Sequence, residues 1–430
     1  MVRLFAAVRF SVPSCAALAT AALLAACGGS DDASAGADTS TAASDTGTAG
    51  TTAAPTTGAD TADSGDTTSG ADSTGASGTD FDAPGPHPVG NVRIVIQDAD
   101  GGRELPVEIW YPADASAAAD AEAGVPLADF SPDEPEHTQL ADLVAAAPPE
   151  CTRAQTRSAP DALPADVGPY PLIVFSHCHE CTRYSTLTVV ERLVSHGFAV
   201  AAPDHVGNTL FDGIAGTGVD IGGEFLTVRA ADIGRVLDVV LDADATEVPE
   251  SLRGRFDADT VGMFGHSFGS VTVGRVLQDD DRVQAGVAIA APVENPLIPG
   301  VSIDAIDEPL LLMLAQEDNS IMEVGNNLLR ANFEAAAPPV WLVEFQDTGH
   351  WSFTDICDIV DGFQPGCGDG IRQTRPGAEF TYLDNDLVRE TTARYTTRFF
   401  AAHLLGDADA DAALDEAAPA DVVTVSVRRE

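Results

Sequence analysis

The 430-residue chain contains no lysine; its 22 basic residues are all arginine and stand against 67 aspartates and glutamates, a formal charge of −45. So few cations cannot neutralise a phosphate backbone, which excludes nucleic acid as a partner and disfavours electrostatic docking on anionic lipid. Long apolar runs are also scarce. The clearest, Val12 to Ala26, is too short and too rich in alanine to span a bilayer. Cysteine is limited to seven residues, two of them within the first 27 positions. Apolar residues nonetheless make up 44% of the chain, enough for a substantial core.

The short apolar run follows Arg3 and Arg9 and ends in Leu24-Ala25-Ala26-Cys27-Gly28-Gly29. This is the layout of an export signal, residues 1–26, and its end resembles the lipobox of bacterial lipoproteins. The expectation is lipidation on Cys27, with acyl chains holding the protein to the cell envelope, at the outer membrane. Residues 27–84 are Gly, Ser, Thr, Ala and Asp with almost nothing apolar, and read as a disordered acidic tether. A folded domain is expected over 85–406, followed by an acidic tail, 407–430, in which Val422 to Val427 could add an edge strand.

Within the domain, Val92–Ile96 and Leu105–Tyr111 predict two strands joined at a turn, Asp100-Gly101-Gly102. The stretch from Pro112 to Gly168 has one predicted helix, Gln139 to Ala146, and is a candidate cover for an active site. Strands then alternate with helices. Buried-strand runs occur at Leu172–Phe175, Phe198–Ala202, Val261–Phe264, Val287–Ala290, Leu310–Leu314 and Val340–Phe345. Helical patterns occupy Thr186–His196, Phe225–Leu241 and Leu387–Leu404. That alternation predicts an α/β fold: a mostly parallel sheet with helices on both faces.

Gly265-His266-Ser267-Phe268-Gly269 links a strand to a helix. The pentapeptide alone is a weak signal in a chain with 39 glycines. In a strand-to-helix turn it is strong, because small residues on both sides let a strained serine stand clear of the sheet. Ser267 is therefore the expected nucleophile. A serine needs a base, and His350, in Thr348-Gly349-His350-Trp351 after the last strand, is placed to be one. The acid should lie between them, after a strand. Asp318 is the first choice, with Glu317 and Glu294 as alternatives. The amide of Phe268 and an amide from the loop after Leu172–Phe175, assigned to His179, should form the oxyanion hole.

That loop reads His177-Cys178-His179-Glu180-Cys181. It has the residue types for zinc but no second Cys-x-x-Cys, and exported thiols tend to oxidise, so no metal is expected. Cys151, Cys178, Cys181, Cys357 and Cys367 allow at most two disulfides. Cys357–Cys367 would close a short loop, and Cys151 with Cys178 or Cys181 would pin the insertion; the sequence leaves the pairing open.

Leu105-Pro106-Val107-Glu108-Ile109-Trp110-Tyr111-Pro112, Tyr170–His177, Pro203-Asp204-His205-Val206-Gly207-Asn208-Thr209, Gly265–Gly269 and Gly349-His350-x-x-Phe353-x-Asp355 together resemble the bacterial branch of the platelet-activating-factor acetylhydrolase and dienelactone hydrolase-like α/β-hydrolases. The resemblance covers roughly 90–405. It implies an α/β-hydrolase fold, carboxylic ester hydrolysis without a cofactor, Ser267 as nucleophile and His350 as base. The sequence departs from that pattern in two places. Cys178 stands where the family usually has glycine. Ala290 and Ala291 stand where platelet-activating-factor enzymes carry their acid, which directs the acid to Asp318. Dienelactone hydrolases proper use a cysteine nucleophile, and Ser267 argues against that reaction. The expected activity is hydrolysis of a short-chain or phospholipid-like ester through an acyl-enzyme. The alternatives are a polyester or amide hydrolase with the same residues, and a degenerate hydrolase fold serving as a binding lipoprotein.

Overall fold

A strand covered on both faces must be apolar on both; the runs at 172–175 and 310–314 meet that condition, and 340–345 meets it apart from Glu344. The computed structural model describes residues 80–97 and 102–430. The expected signal peptide, Cys27, most of the tether and most of the Asp100-Gly101-Gly102 turn lie outside the described residues. Ten strands form one sheet: β1 (Val89–Gln97), β2 (Glu104–Pro112), β3 (Ser158–Pro160), β4 (Tyr170–Ser176), β5 (Ala199–Pro203), β6 (Phe256–His266), β7 (Gly286–Ile289), β8 (Leu310–Ala315), β9 (Val340–Phe345) and β12 (Val423–Arg428). β10 (Asp369–Ile371) and β11 (Glu379–Thr381) make a separate small hairpin. The sheet order is β12-β9-β8-β7-β6-β4-β5-β2-β1-β3. From β5 through β9 every neighbouring pair is parallel, whereas β2 runs antiparallel to β5 and β12 antiparallel to β9.

The helices are α1 (Ala118–Ala123), α2 (Glu136–Ala146), α3 (Leu187–Ser195), α4 (Leu210–Ala215), α5 (Gly223–Val240), α6 (Phe268–Asp279), α7 (Met322–Ala335), α8 (Asn385–Leu405) and α9 (Ala408–Ala413). Alternation along each strand sends successive side chains to opposite faces. Ile173 and Phe175 of β4 join a core with Leu193 of α3 and Phe399 of α8. Leu172 and Val174 of the same strand join the opposite core, with Ile233 of α5, Val273 of α6 and Phe333 of α7. The parallel strands therefore carry α3 and α8 on one face and α5, α6 and α7 on the other, the layered α/β architecture expected from the sequence.

Two boundaries move. The domain begins before residue 85: Phe81 is buried against Ala401 and Ala410, and Asp82 pairs with Arg394 and Arg398. The domain also extends past 406, because α9 packs on α8 and residues 423–428 form the edge strand β12. The 112–168 insertion is ordered, since Leu127, Phe130 and Leu140 belong to the core and Phe130 stacks on Trp110. It is fastened by the Cys151–Cys367 disulfide and by Arg389, which donates to the Cys151 carbonyl. These anchors go to α8 and to the segment following His350.

Candidate active site

The turn between β6 and α6 is shaped by glycine. A Cβ on Gly265 would lie 2.3 Å from the Gly269 backbone, and one on Gly269 would lie 1.9 Å from the Ser176 carbonyl oxygen. Any larger residue would force β6, α6 and the end of β4 apart. The serine between them has φ 56° and ψ −117°, a conformation L-residues rarely adopt. Its amide donates to the Ile289 carbonyl at 2.8 Å, and the Ser270 hydroxyl bonds the Gly265 and Ile289 carbonyls. The strained turn is thus held from β7 as well as from its own helix.

Parallel neighbours bring the next two groups to the same end of the sheet. β9 delivers His350 and β8 delivers Asp318. Ser267 Oγ lies 2.9 Å from His350 Nε2, and His350 Nδ1 lies 2.7 Å from Asp318 Oδ2. The amides of Ser320 and Ile321 donate to Asp318 Oδ1 at 2.8 and 2.9 Å. One carboxylate oxygen is therefore occupied by the backbone and the other faces the imidazole. His350 and Asp318 are both buried, so water does not compete for these bonds. This arrangement can pass the serine proton to the imidazole and hold the resulting imidazolium against a carboxylate.

The alternative acids are engaged elsewhere. Glu317 is buried and receives Arg372 Nη1 at 2.9 Å and the amides of Gln373 and Thr374 at 2.7 and 3.1 Å, which fixes the β10–β11 hairpin. Glu294 accepts from the Ile303 amide at 2.7 Å. His403, on α8, is half-buried with its ring 4.9 Å from that of Trp341 and 4.8 Å from that of Phe399.

The sequence reading missed a second histidine at the site. His266 directly precedes the nucleophile, its ring lies 4.9 Å from that of His350, and its Nε2 is 3.0 Å from the His350 carbonyl oxygen. Burial, and then the charge His350 can carry, push its basicity well below the ordinary histidine range. It stays neutral and does not place a second cation beside the base.

The end of β4 lies against Gly269, two residues past Ser267. His179 sits in the turn beyond it, and its Nδ1 accepts from Asn208 Nδ2 at 2.6 Å. Phe268 is the first residue of α6, whose leading amides have no partner within the helix. Cysteine pairing differs from both expected patterns: Cys178 bonds Cys181 and Cys151 bonds Cys367, while Cys357 is free and buried. The turn at Glu180 (φ 54°) brings Cys178 and Cys181 to a Cα separation of 5.2 Å, within disulfide range. Chain folding brings Cys151 to 5.6 Å from Cys367, across 216 residues. With Cys178 and Cys181 bonded to each other, the His-Cys-His-x-Cys motif presents no thiolate. Among the described residues, no cluster of three or more His, Cys, Asp or Glu is arranged to hold a metal ion.

The family model described as platelet-activating factor acetylhydrolase, isoform II, matches residues 77–210, and that of the dienelactone hydrolase family matches 159–359. The platelet-activating factor acetylhydrolase of Bos taurus is 31% identical over 160 residues, covering 28% of this chain and 35% of that protein. Its counterpart from Canis lupus familiaris is 28% identical over 155 residues, with the same coverage of 28% and 35%. The chain spans about a third of the length of the curated relatives it matches. Among solved structures, a ferulic acid esterase from Streptomyces cinnamoneus superimposes with a TM-score of 0.55 at 23% identity, over 79% of this chain and 96% of that one. The strand order, the antiparallel β2 and this superposition define an α/β-hydrolase fold. Within that class, the sequence likeness falls on the platelet-activating-factor acetylhydrolases and dienelactone hydrolases, and the latter match spans Ser267, Asp318 and His350.

Proposed function

We propose that the chain is a serine hydrolase that cleaves carboxylic esters through an acyl-enzyme on Ser267. The observation that carries this reading is the continuous hydrogen-bonded series Asp318–His350–Ser267, set on a strained strand-to-helix turn. His350 takes the Ser267 proton as Oγ attacks the ester carbonyl, and the tetrahedral oxyanion is held by the amides of Phe268 and His179. His350 then gives the proton to the departing alcohol. Water, activated by the same ring, releases the acid and restores the serine. The relatives named platelet-activating factor acetylhydrolase and ferulic acid esterase support an ester as the bond broken. A short acyl chain or a phospholipid-like acetyl ester is the proposed substrate class. Labelling by a fluorophosphonate, which requires an activated serine, followed by a screen of p-nitrophenyl esters of increasing acyl length, tests the reading. A chain that neither labels nor hydrolyses any of them is not this enzyme.

The Cys178–Cys181 bond brackets His179, so its loss is expected to disturb turnover more than folding. The double variant Cys178→Ser/Cys181→Ser should lose about tenfold or more in kcat with a small change in Tm, since a three-residue ring restrains little of the unfolded chain. Cys367→Ser should do the reverse. It opens a ring of 216 residues, whose loss costs about 5 kcal/mol in the loop-entropy account, and should lower Tm strongly. Kinetics and thermal melts on the two proteins separate these effects.

We further propose that Cys27 carries lipid and that residues 28–79 tether the hydrolase to the outer membrane. None of the described helices is long and apolar enough to cross a membrane. In cells, Cys27→Ala is expected to release or mislocalise the protein, depleting it from the outer-membrane fraction, with its esterase activity intact. Unchanged co-fractionation with the outer membrane would refute the anchor.

A further inference from the structure

Behind the Ser267 turn lies a buried polar network that the mechanism above does not use. Its centre is Arg229, on α5, with no solvent exposure. Nε donates to Thr272 Oγ1 at 3.1 Å, and Nη1 donates to Asn208 Oδ1 at 2.8 Å. Nη2 donates to Ser176 Oγ at 2.9 Å and to the His177 carbonyl oxygen. The guanidinium carbon also stands 4.6 Å over the Phe268 ring. All four hydrogen bonds go to neutral acceptors. Asp232, one turn further along α5, acts only at longer range; its carboxylate is engaged by Arg103 and by His205 Nδ1 at 2.9 Å. His205 Nε2 in turn lies 3.0 Å from Ser176 Oγ. Burial lowers the Arg229 guanidinium to about 9, with Asp232 opposing the shift, which leaves it protonated at neutral pH.

A buried cation without a directly bonded carboxylate is costly, and hydrophobic replacements of similar volume often stabilise such positions. The contacts of Arg229 suggest what offsets that cost. Ser176 and His177 begin the loop that carries His179. Asn208, held by Arg229 through its carbonyl oxygen, uses its amide nitrogen to hold the His179 ring. Thr272 and Phe268 belong to α6, whose first residue supplies the other amide. The planar fork of arginine reaches all of these at once, which the single ammonium of lysine cannot do.

We propose that Arg229 is a positioning residue for the oxyanion hole, fixing the His179 loop against the start of α6 so that the His179 and Phe268 amides converge on one point. The inference rests on the serine-hydrolase reading above. Arg229 touches neither substrate nor nucleophile and acts only by holding the two donors in register. Misplacing one donor removes an interaction made in the transition state and leaves ground-state binding nearly unchanged.

The test is Arg229→Met in the full chain, with kinetics expressed per active site titrated to completion with a fluorophosphonate. We expect kcat to fall on the order of 10²-fold, the loss associated with one oxyanion donor, with KM within about twofold. Inhibition by an alkyl trifluoromethyl ketone, whose adduct with serine bears the oxyanion, should weaken in parallel. If Arg229→Met does not fold, Asn208→Ser keeps Arg229 but removes its link to His179, together with the bond to the Val219 carbonyl, and should lower kcat about tenfold with the same pattern. A variant with a lower Tm but wild-type kcat per site and undiminished ketone affinity would overturn the proposal, leaving Arg229 a structural residue. A wild-type chain that neither labels nor hydrolyses esters would instead overturn the serine-hydrolase reading itself.

Discussion

Ser267→Ala is expected to abolish ester hydrolysis and fluorophosphonate labelling while leaving the melting temperature within a few degrees of wild type. The substitution removes one oxygen, and that oxygen is the atom to which the acyl group is transferred. Removing the nucleophile of a serine hydrolase costs on the order of 10⁴- to 10⁶-fold in kcat, and the residue of activity comes from binding and the oxyanion donors. The fold should tolerate the change. Ser267 contributes its backbone to the turn, through the bond from its amide to Ile289, and its side chain hydrogen-bonds His350. Alanine adds no strain beyond what serine already bears at φ 56°. Purified Ser267→Ala with ordinary esterase activity would move the nucleophile elsewhere.

Asp318→Asn carries the second large effect. The carboxylate holds the His350 tautomer that leaves Nε2 free to accept the serine proton, and it stabilises the imidazolium formed on the way to the transition state. An amide in its place can present a donor to Nδ1 and invert the tautomer, a change expected to cost about 10⁴-fold in kcat. The amides of Ser320 and Ile321 will still find an oxygen on the substituted side chain, so the loop should keep its shape. Glu294→Gln and Glu317→Gln discriminate between acids, because neither carboxylate touches His350. Each should cost less than tenfold in turnover, with Glu317→Gln also lowering Tm by loosening Arg372 and the β10–β11 hairpin. A loss at Glu294 equal to that at Asp318 would overturn the assignment.

Much of this was legible in the sequence because parallel strands covered on both faces must be written as apolar runs. Val340–Phe345 reads as a strand and is one over the same residues. Once the strand ends are known, the positions that can carry chemistry are few, and Ser267, Asp318 and His350 each follow one directly. What could not be read falls into two kinds. Partners brought together only by folding leave no local trace: Cys151 finds Cys367 because the insertion packs beside the segment after His350, and the shorter spacing from Cys357 to Cys367 suggested a different pair. Buried charge is the other kind. Arg229, Asp232 and Glu317 look like solvated residues on paper, since a charge usually marks a surface. Here each is fully or almost fully enclosed, and its partners lie on distant segments. Signals for these were faint: Arg229 and Asp232 stand on the early turns of an amphipathic helical pattern that also carries Arg235 and Asp238.

The edge strand β12 carries an implication for handling the protein. β9, which delivers His350, would end the sheet with a row of open backbone groups if residues 423–428 did not pair along its whole length. An open, apolar edge of this kind is a template for another molecule's strand. A chain cut back after α8 would keep every residue of the proposed chemistry, yet expose that edge, and with it Val343 and Trp341, to its neighbours. Arg428 also ties β12 to the carbonyls of Phe333 and Ala336 at the end of α7. A shortened recombinant version should therefore be judged first by whether it stays monodisperse on a sizing column, because self-association would remove activity before any catalytic defect could be measured.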